Sequence, residues 1–392
     1  MSFALTDVRL DTPACATGLI HFNNAGASLM PRPVHQSVLD HLQLECDIGG
    51  YEAKAANDAL LERFYHAAAV AVGGKPEEIA FIENATRAWD MVFYAFDWRP
   101  GDRILTSRAD YSSNMISYIQ VARRYGAIVD MAPDDESGQV DVAALENLIT
   151  DRTRLISLTH IPTNGGLINP VERVGKVARK HGIPYLVDAC QSVGQMPIDV
   201  DEIGCDMLST TGRKYIRGPR GTGFLWVRKE WIEKLEPPFL DNHAATWTDV
   251  NEIEIRSDAR RFENWECYFA GKIGLGVALD YGQGLGVAET WTRIQSLSQS
   301  LRDALSRLPG VTVWDRGERQ CGIITFSKDG VSSDSIQSLL AERKINVSTS
   351  SSQLTRADLA AARVGSMVRA SVHYFNTEEE LDRLIATVRS AD

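Results

Sequence analysis

Three short segments carry residue types that could share one piece of chemistry. The first is Tyr185-Leu-Val-Asp188-Ala-Cys-Gln191, an apolar run that ends on a carboxylate. Such an Asp is either a turn or helix cap or an anion facing a cationic ring nitrogen. The second is Ser209-Thr-Thr211-Gly-Arg213-Lys214-Tyr-Ile-Arg217-Gly218-Pro-Arg220-Gly221-Thr222-Gly223. Its lysine stands between a β-rich run and a glycine-rich turn, among hydroxyls and arginines of the kind that bind phosphate. A lysine kept neutral by its surroundings forms an imine with an aldehyde; an ordinary solvated basic turn is the plain alternative. The third is Glu83-Asn84-Ala85-Thr86-Arg87, at the start of a helical pattern. Free N–H groups there attract anions, and capping by Asn84 or Thr86 explains the same residues equally well. Taken together the three supply a phosphate cradle, a carboxylate for a ring nitrogen and an amine for an aldehyde. Those are the needs of pyridoxal 5′-phosphate.

Such residues must be brought to one edge, and the pattern around them does so. From about Asn57 to Arg228, short β-rich runs alternate with helix-period segments. Strands are expected over Ile79–Ile82, Arg103–Thr106, Ala127–Met131, Arg154–Thr159, Ile183–Asp188, Asp206–Ser209 and Gly223–Val227. Helices are expected over Ala59–Val72, Thr86–Phe96, Ser113–Tyr125, Val140–Ile149 and Val171–His181. This rhythm implies a mostly parallel sheet covered on both faces, with ligands at the carboxyl ends of its strands. Pro237-Pro238 and a polar stretch, Asn242–Glu254, break the alternation. Helices over Gly271–Tyr281, Glu289–Leu308, Ser335–Arg343 and Glu378–Ser390 follow, with strands Gly322–Phe326 and Val368–Val372. The fold class is therefore α/β with a smaller C-terminal α+β part. The expected division is 1–22 as an N-terminal segment packing with the small domain, 23–284 as the large domain and 285–392 as the small one.

With these segments in place, the chain resembles the class V aminotransferase family of fold-type I pyridoxal 5′-phosphate enzymes. That group includes cysteine desulfurase-like, isopenicillin N epimerase-like and hercynylcysteine sulfoxide lyase-like proteins. The resemblance runs from about Phe22 to the C-terminus and implies a sheet of the seven-stranded type. It implies Lys214 as the catalytic, imine-forming lysine, Asp188 as partner of the pyridine nitrogen and Gln191 as partner of the phenolic oxygen. Ala85, Thr86, Thr211 and Arg213 match the phosphate site, and Tyr111 the ring that stacks on the cofactor. Thr163, in His160-Ile-Pro-Thr163-Asn164-Gly165-Gly166, takes the place of a residue offered to the cofactor. Arg369, in Val368-Arg369-Ala-Ser-Val-His373, matches the substrate-carboxylate arginine. Asn24 and Ala25 lie in a loop that approaches the substrate from the other side. His243 and Trp247 are further pocket candidates. Desulfurases carry a nucleophilic cysteine shortly before that arginine, and Ile345–Val364 contains none.

The implied reaction passes through an imine of the substrate amine and an α-carbanion, and is favoured to be C–S β-elimination on a cysteine-derived amino acid. Aminotransferase or epimerase chemistry is the alternative, and a non-catalytic binding protein of the same fold a second. The resemblance also implies a homodimer with shared active sites, the segment Arg261-Phe-Glu263-Asn-Trp265-Glu266 reaching the neighbour.

Composition limits the other classes. Of 392 residues, 44% are hydrophobic and 24% charged, as in soluble globular proteins. The formal charge of −11 is spread along the chain, with no basic stripe for nucleic acid. No run is apolar enough to span a membrane. Six isolated cysteines show no metal-ligand spacing, so no metal is expected, and they suit a reducing, cytoplasmic setting.

Overall fold

In the computed structural model, which describes residues 3–351, 356–359 and 365–391, seven strands form one large sheet. They are β1 (Ile79–Ile82), β2 (Arg103–Ser107), β3 (Ile128–Ala132), β4 (Thr153–Thr159), β5 (Tyr185–Asp188), β6 (Met207–Thr211) and β7 (Gly223–Val227). Their order across the sheet is β1-β7-β6-β5-β4-β2-β3. Strands β2 to β6 pair in parallel, and β7 runs against both of its neighbours. Because β7 alone is reversed, its first residues lie at the same edge as the carboxyl ends of the others. Strands β5, β6 and β7 are buried throughout, which explains the apolar runs at 185–187 and 224–227.

Alternate side chains of each strand meet different helices. Val187 and Leu208 pack on one side with Phe64, Val72, Val174 and Leu275. Leu186 and Met207 pack on the other with Trp89, Phe93, Tyr118 and Val121. The expected helix over Val140–Ile149 is shorter, Val142–Asn147, because the Asp141 carboxylate caps it by accepting from the N–H groups of Ala143 and Ala144. Two helices, Arg32–Ile48 and Gly50–Ala56, occupy a stretch where the sequence shows no periodic signal. Only Val34 and His41 of the longer one are buried, too few to mark an apolar stripe. The polar stretch after Pro238 holds a hairpin, Ala245–Asp249 with Glu252–Ile255.

A second sheet contains β8 (Val311–Val313), β9 (Ile323–Lys328), β10 (Ser348–Ser351) and β11 (Ser366–Ser371), antiparallel in the order β8-β9-β11-β10. Helices Val287–Ser306, Ser333–Glu342 and Glu378–Arg389 cover it. The N-terminal segment joins this core: Ile20–His21 pairs with Ile345–Asn346, and Val8, Ile20 and Phe22 are buried within it. Of the stretch Ile345–Val364, residues 352–355 and 360–364 lie outside the described residues, as do Met1, Ser2 and Asp392.

Close backbone approach sets the distance of the helix Val171–His181 from the short helix Val200–Ile203. A Cβ on Gly175 would stand 1.8 Å from the Ile203 carbonyl oxygen. Gly175→Ala is therefore expected to cost about 1–3 kcal/mol of stability through overpacking, read as a lower urea midpoint. An unchanged midpoint would mean that this contact is slack.

Candidate active site

The carboxyl ends of β1, β2, β4, β5 and β6, with the start of β7, surround a cavity of about 310 Å³. Nine of the residues singled out in the sequence line it: Ala85, Thr86, Tyr111, Thr163, Asp188, Gln191, Thr211, Arg213 and Lys214. Their order along the chain is the order in which the strands end.

Past β1, Asn84 caps the helix Ala85–Phe93 by accepting from the Arg87 N–H at 3.0 Å. The first-turn N–H groups of Ala85 and Thr86 have no acceptor within the helix and point its positive end at the cavity. Gly223, at the start of β7, lets that turn come close: a Cβ there would lie 2.5 Å from the Thr210 carbonyl oxygen and 3.3 Å from the Asn84 backbone. Past β6, Arg213 contributes a guanidinium whose Nη1 is buried without a protein partner. Lys214 is 7% exposed. Burial lowers its pKa first; the charges of Arg213 and Arg369 lower it further, while Cys190 and Asp188 pull it up. Its ammonium lies 6.0 Å from the centre of the Tyr111 ring.

Asp188 ends β5 and is 4% exposed. One oxygen accepts from the Cys190 N–H at 3.0 Å and the other from the Asn114 amide at 3.2 Å. Asn114 also donates to Asp110, a carboxylate that the sequence reading passed over. Asp110 accepts from the hydroxyls of Thr106, Thr159 and Tyr118 and from the Tyr111 N–H. It thus holds both the Tyr111 backbone and the amide that orients Asp188. Burial raises its pKa, against the pull of those hydrogen bonds. Its place between Ala109 and Tyr111, with Asn114 one helical turn on, is the signal that could have found it.

Arg369, on β11, reaches across from the small sheet. It is 9% exposed and donates to the Thr163 carbonyl at 3.0 Å, the Thr163 hydroxyl at 2.7 Å and the Asn23 amide oxygen at 3.4 Å. These acceptors are all neutral, and its Nε has no partner. Gln191 ties the same wall together, donating to the Ala25 carbonyl at 3.1 Å. Asn24 is committed elsewhere: its amide bonds the His21 and Ser371 carbonyls and accepts from Ser28. It shapes the loop, and Asn23 is the residue that meets Arg369. Thr163 faces this cavity, whereas Asn164 lines a neighbouring one. His243 bonds Glu263 at 3.1 Å, and Trp247 stands 74% exposed on the hairpin; neither lines the cavity.

These residues fit pyridoxal 5′-phosphate. The unpartnered Arg213 Nη1, the helix start at Ala85 and Thr86, and the Thr211 hydroxyl suit a phosphate. Asp188 suits a protonated pyridine nitrogen, and the Gln191 side-chain amide, which lines the same wall, has in its N–H groups donors that suit the phenolic oxygen. Among the described residues, no group of three His, Cys, Asp or Glu could hold a metal.

Comparison with known proteins gives the same direction. The aminotransferase class-V family model matches residues 20–384. The chain is 28% identical to a probable cysteine desulfurase of Methanothermobacter thermautotrophicus, covering 97% of this chain and 96% of that one. An apo cysteine desulfurase from Thermococcus onnurineus NA1 shares the fold with a TM-score of 0.91 at 24% identity, over 99% and 98% of the two chains. The cystine C–S lyase C-DES, solved with its product cysteine persulfide, superposes with a TM-score of 0.88 at 25% identity, over 97% and 99%. A C-DES mutant with glycine linked covalently to its PLP cofactor superposes equally well.

The lowered pKa of Lys214 has a thermodynamic consequence. Between that pKa and the ordinary 10.5 the unfolded chain binds a proton that the folded apoprotein does not, so stability rises with pH across the window. Lys214→Met should therefore raise the apoprotein's urea midpoint at neutral pH, with the gain shrinking as pH climbs towards 10. A gain of equal size at both pH values would show that burial does not perturb this amine.

Proposed function

The chain belongs to the aminotransferase class-V family of pyridoxal 5′-phosphate enzymes, and we propose that it cleaves the C–S bond of a cysteine-derived amino acid. The observation that carries the reading is the pair formed by a buried lysine and a buried arginine bordering one cavity, the arginine bonded to neutral acceptors alone.

Bound at this site, the cofactor supplies an aldehyde for Lys214 and an electron-withdrawing ring for the substrate α-carbon. The chain's own residues do the rest. Ala85, Thr86, Thr211 and Arg213 anchor the phosphate, Asp188 keeps a proton on the ring nitrogen, and Tyr111 limits the tilt of the ring. Arg369 takes the substrate carboxylate as a two-pronged pair. Lys214, which burial favours as the neutral amine, removes the α-proton at its Nζ. The C–S bond then breaks with its electron pair on sulfur, and the proton on Lys214 is available to the departing group. After addition of water the products are pyruvate, ammonium and the released sulfur group, a thiol from a thioether, a persulfide from a disulfide or a sulfenic acid from a sulfoxide.

The absence of a cysteine in Ile345–Val364 favours direct release of sulfur over transfer to a protein thiolate. Cys190, which lines the cavity, is a poor substitute. Burial raises its pKa well above the usual range, and sulfur transfer needs the thiolate. The cysteine-type substrate is also supported by the printed names of the relatives, a probable cysteine desulfurase and a cystine C–S lyase.

The same proposal includes a homodimer with shared active sites. Phe239, Trp247 and Trp265 are exposed, and Phe239 lies under the Arg87 guanidinium, next to the cavity mouth at Glu83. It also keeps the division near Gly284 and a cytoplasmic setting, the latter suggested by six free cysteines. Among the described residues no helix is long and apolar enough to cross a membrane.

Incubation of the holoenzyme with cystine, S-alkylcysteines and cysteine sulfoxides is expected to yield pyruvate and ammonium. A keto acid without ammonium would instead mean transamination, inverted stereochemistry would mean epimerisation, and no spectral change with any amino acid would leave a binding protein. Lys214→Ala should lower kcat by about 10²–10⁴-fold. Arg369→Gln should weaken substrate binding by about ten- to a hundredfold, the worth of a charge-assisted hydrogen bond, seen mainly in KM.

A further inference from the structure

Arg217, three residues beyond Lys214, breaks two rules at once. Its φ is +65°, one of only two non-glycine positive values among the described residues; a side chain in that region costs about 1–2 kcal/mol. Its guanidinium is also 1% exposed, yet its hydrogen bonds go only to neutral oxygens. Nε donates to the Leu29 carbonyl at 2.7 Å, Nη2 to the Thr12 hydroxyl at 2.6 Å and Nη1 to the Tyr374 hydroxyl at 3.0 Å. The rings of Phe375, Tyr374 and Tyr281 lie 4.6, 5.3 and 6.0 Å from it. A glycine would fill the turn at lower cost, and an apolar side chain would fill the space without burying a charge.

The position of this residue suggests what it is kept for. The Arg217 N–H donates to the Lys214 carbonyl at 2.9 Å, closing the turn that presents the lysine. Its side chain meets Tyr374 and Phe375, three and four residues beyond the end of the strand that carries Arg369. His373 joins the same two segments, its Nε2 standing 3.1 Å from the Tyr215 carbonyl oxygen. We propose that Arg217 is a positioning residue: it braces the Lys214 turn against the end of β11 and so sets the spacing between the amine and the carboxylate-binding guanidinium. This rests on the roles given to Lys214 and Arg369 above. A fork of five donors surrounded by rings can hold three segments at once; a lysine, with one point charge, cannot.

The test uses the holoenzyme of Arg217→Gly, which suits the positive φ, and of Arg217→Lys. Loosening the brace should raise the amino-acid KM about tenfold or more, with a smaller fall in kcat. It should also shift the pH midpoint of the visible absorbance of the lysine-bound cofactor. Arg217→Lys should recover part of both effects. A folded Arg217→Gly enzyme with KM and midpoint unchanged overturns the inference. Should that variant fail to fold, Thr12→Val and Tyr374→Phe each remove one bond to the guanidinium; shifts in the same sense support the brace, and none overturns it. A wild-type protein that gains no visible absorbance with the cofactor would instead defeat the reading of Lys214 itself.

Discussion

Crowding basic groups around one cavity without an equal number of acids is the constraint on which the rest depends. Lys214, Arg213 and Arg369 surround or border it, and Asp188 is the buried carboxylate on its wall. An uncompensated buried charge costs several kcal/mol, and the helix start at Ala85 adds positive potential of the same sign. Such a deficit is complementary to anionic ligands. A phosphate group beside Arg213 and a carboxylate beside Arg369 would supply the missing anions, and the burial that lowers the pKa of Lys214 also makes it a useful amine.

Such a site must be held from behind, and polar residues that never reach the ligand do much of that. Asp110 gathers three hydroxyls, one amide and one backbone N–H beneath Tyr111 and Asp188. Glu263 does the corresponding work at β1. It accepts from the Tyr65 hydroxyl, the Phe81 N–H and His243, with Lys272 3.9 Å away. Lys272 and the hydrogen bonds keep its pKa low in spite of complete burial. A buried carboxylate satisfied on every side is rigid, so the strand that leads to Asn84 is held at Phe81, three residues before it.

Much of this was legible because the large sheet is buried on both faces. Strands such as Tyr185–Asp188 and Gly223–Val227 must be apolar along most of their length; the first ends, and the reversed second begins, where polar chemistry starts. The helix Val171–His181 was legible from its apolar stripe and the glycine that follows it. The helix Arg32–Ile48 was not, since two buried residues in seventeen leave no period to detect. The hairpin after Pro238 was hidden for a related reason: most of its residues face solvent, so no buried face imposed an alternation.

By itself, the order of residues determined that a lysine, a carboxylate and a helix start would meet at one sheet edge. Parallel pairing sends the carboxyl ends of the strands it joins to the same side, whatever the details of packing. Tertiary structure alone decided which neighbours make those groups work. Asn23 rather than Asn24 meets Arg369, Asp110 holds Asp188 through Asn114, and Arg217 joins segments that lie about 200 residues apart. The bonds of Arg369 and Arg217 depend on how the two sheets dock, which no local pattern of polarity records.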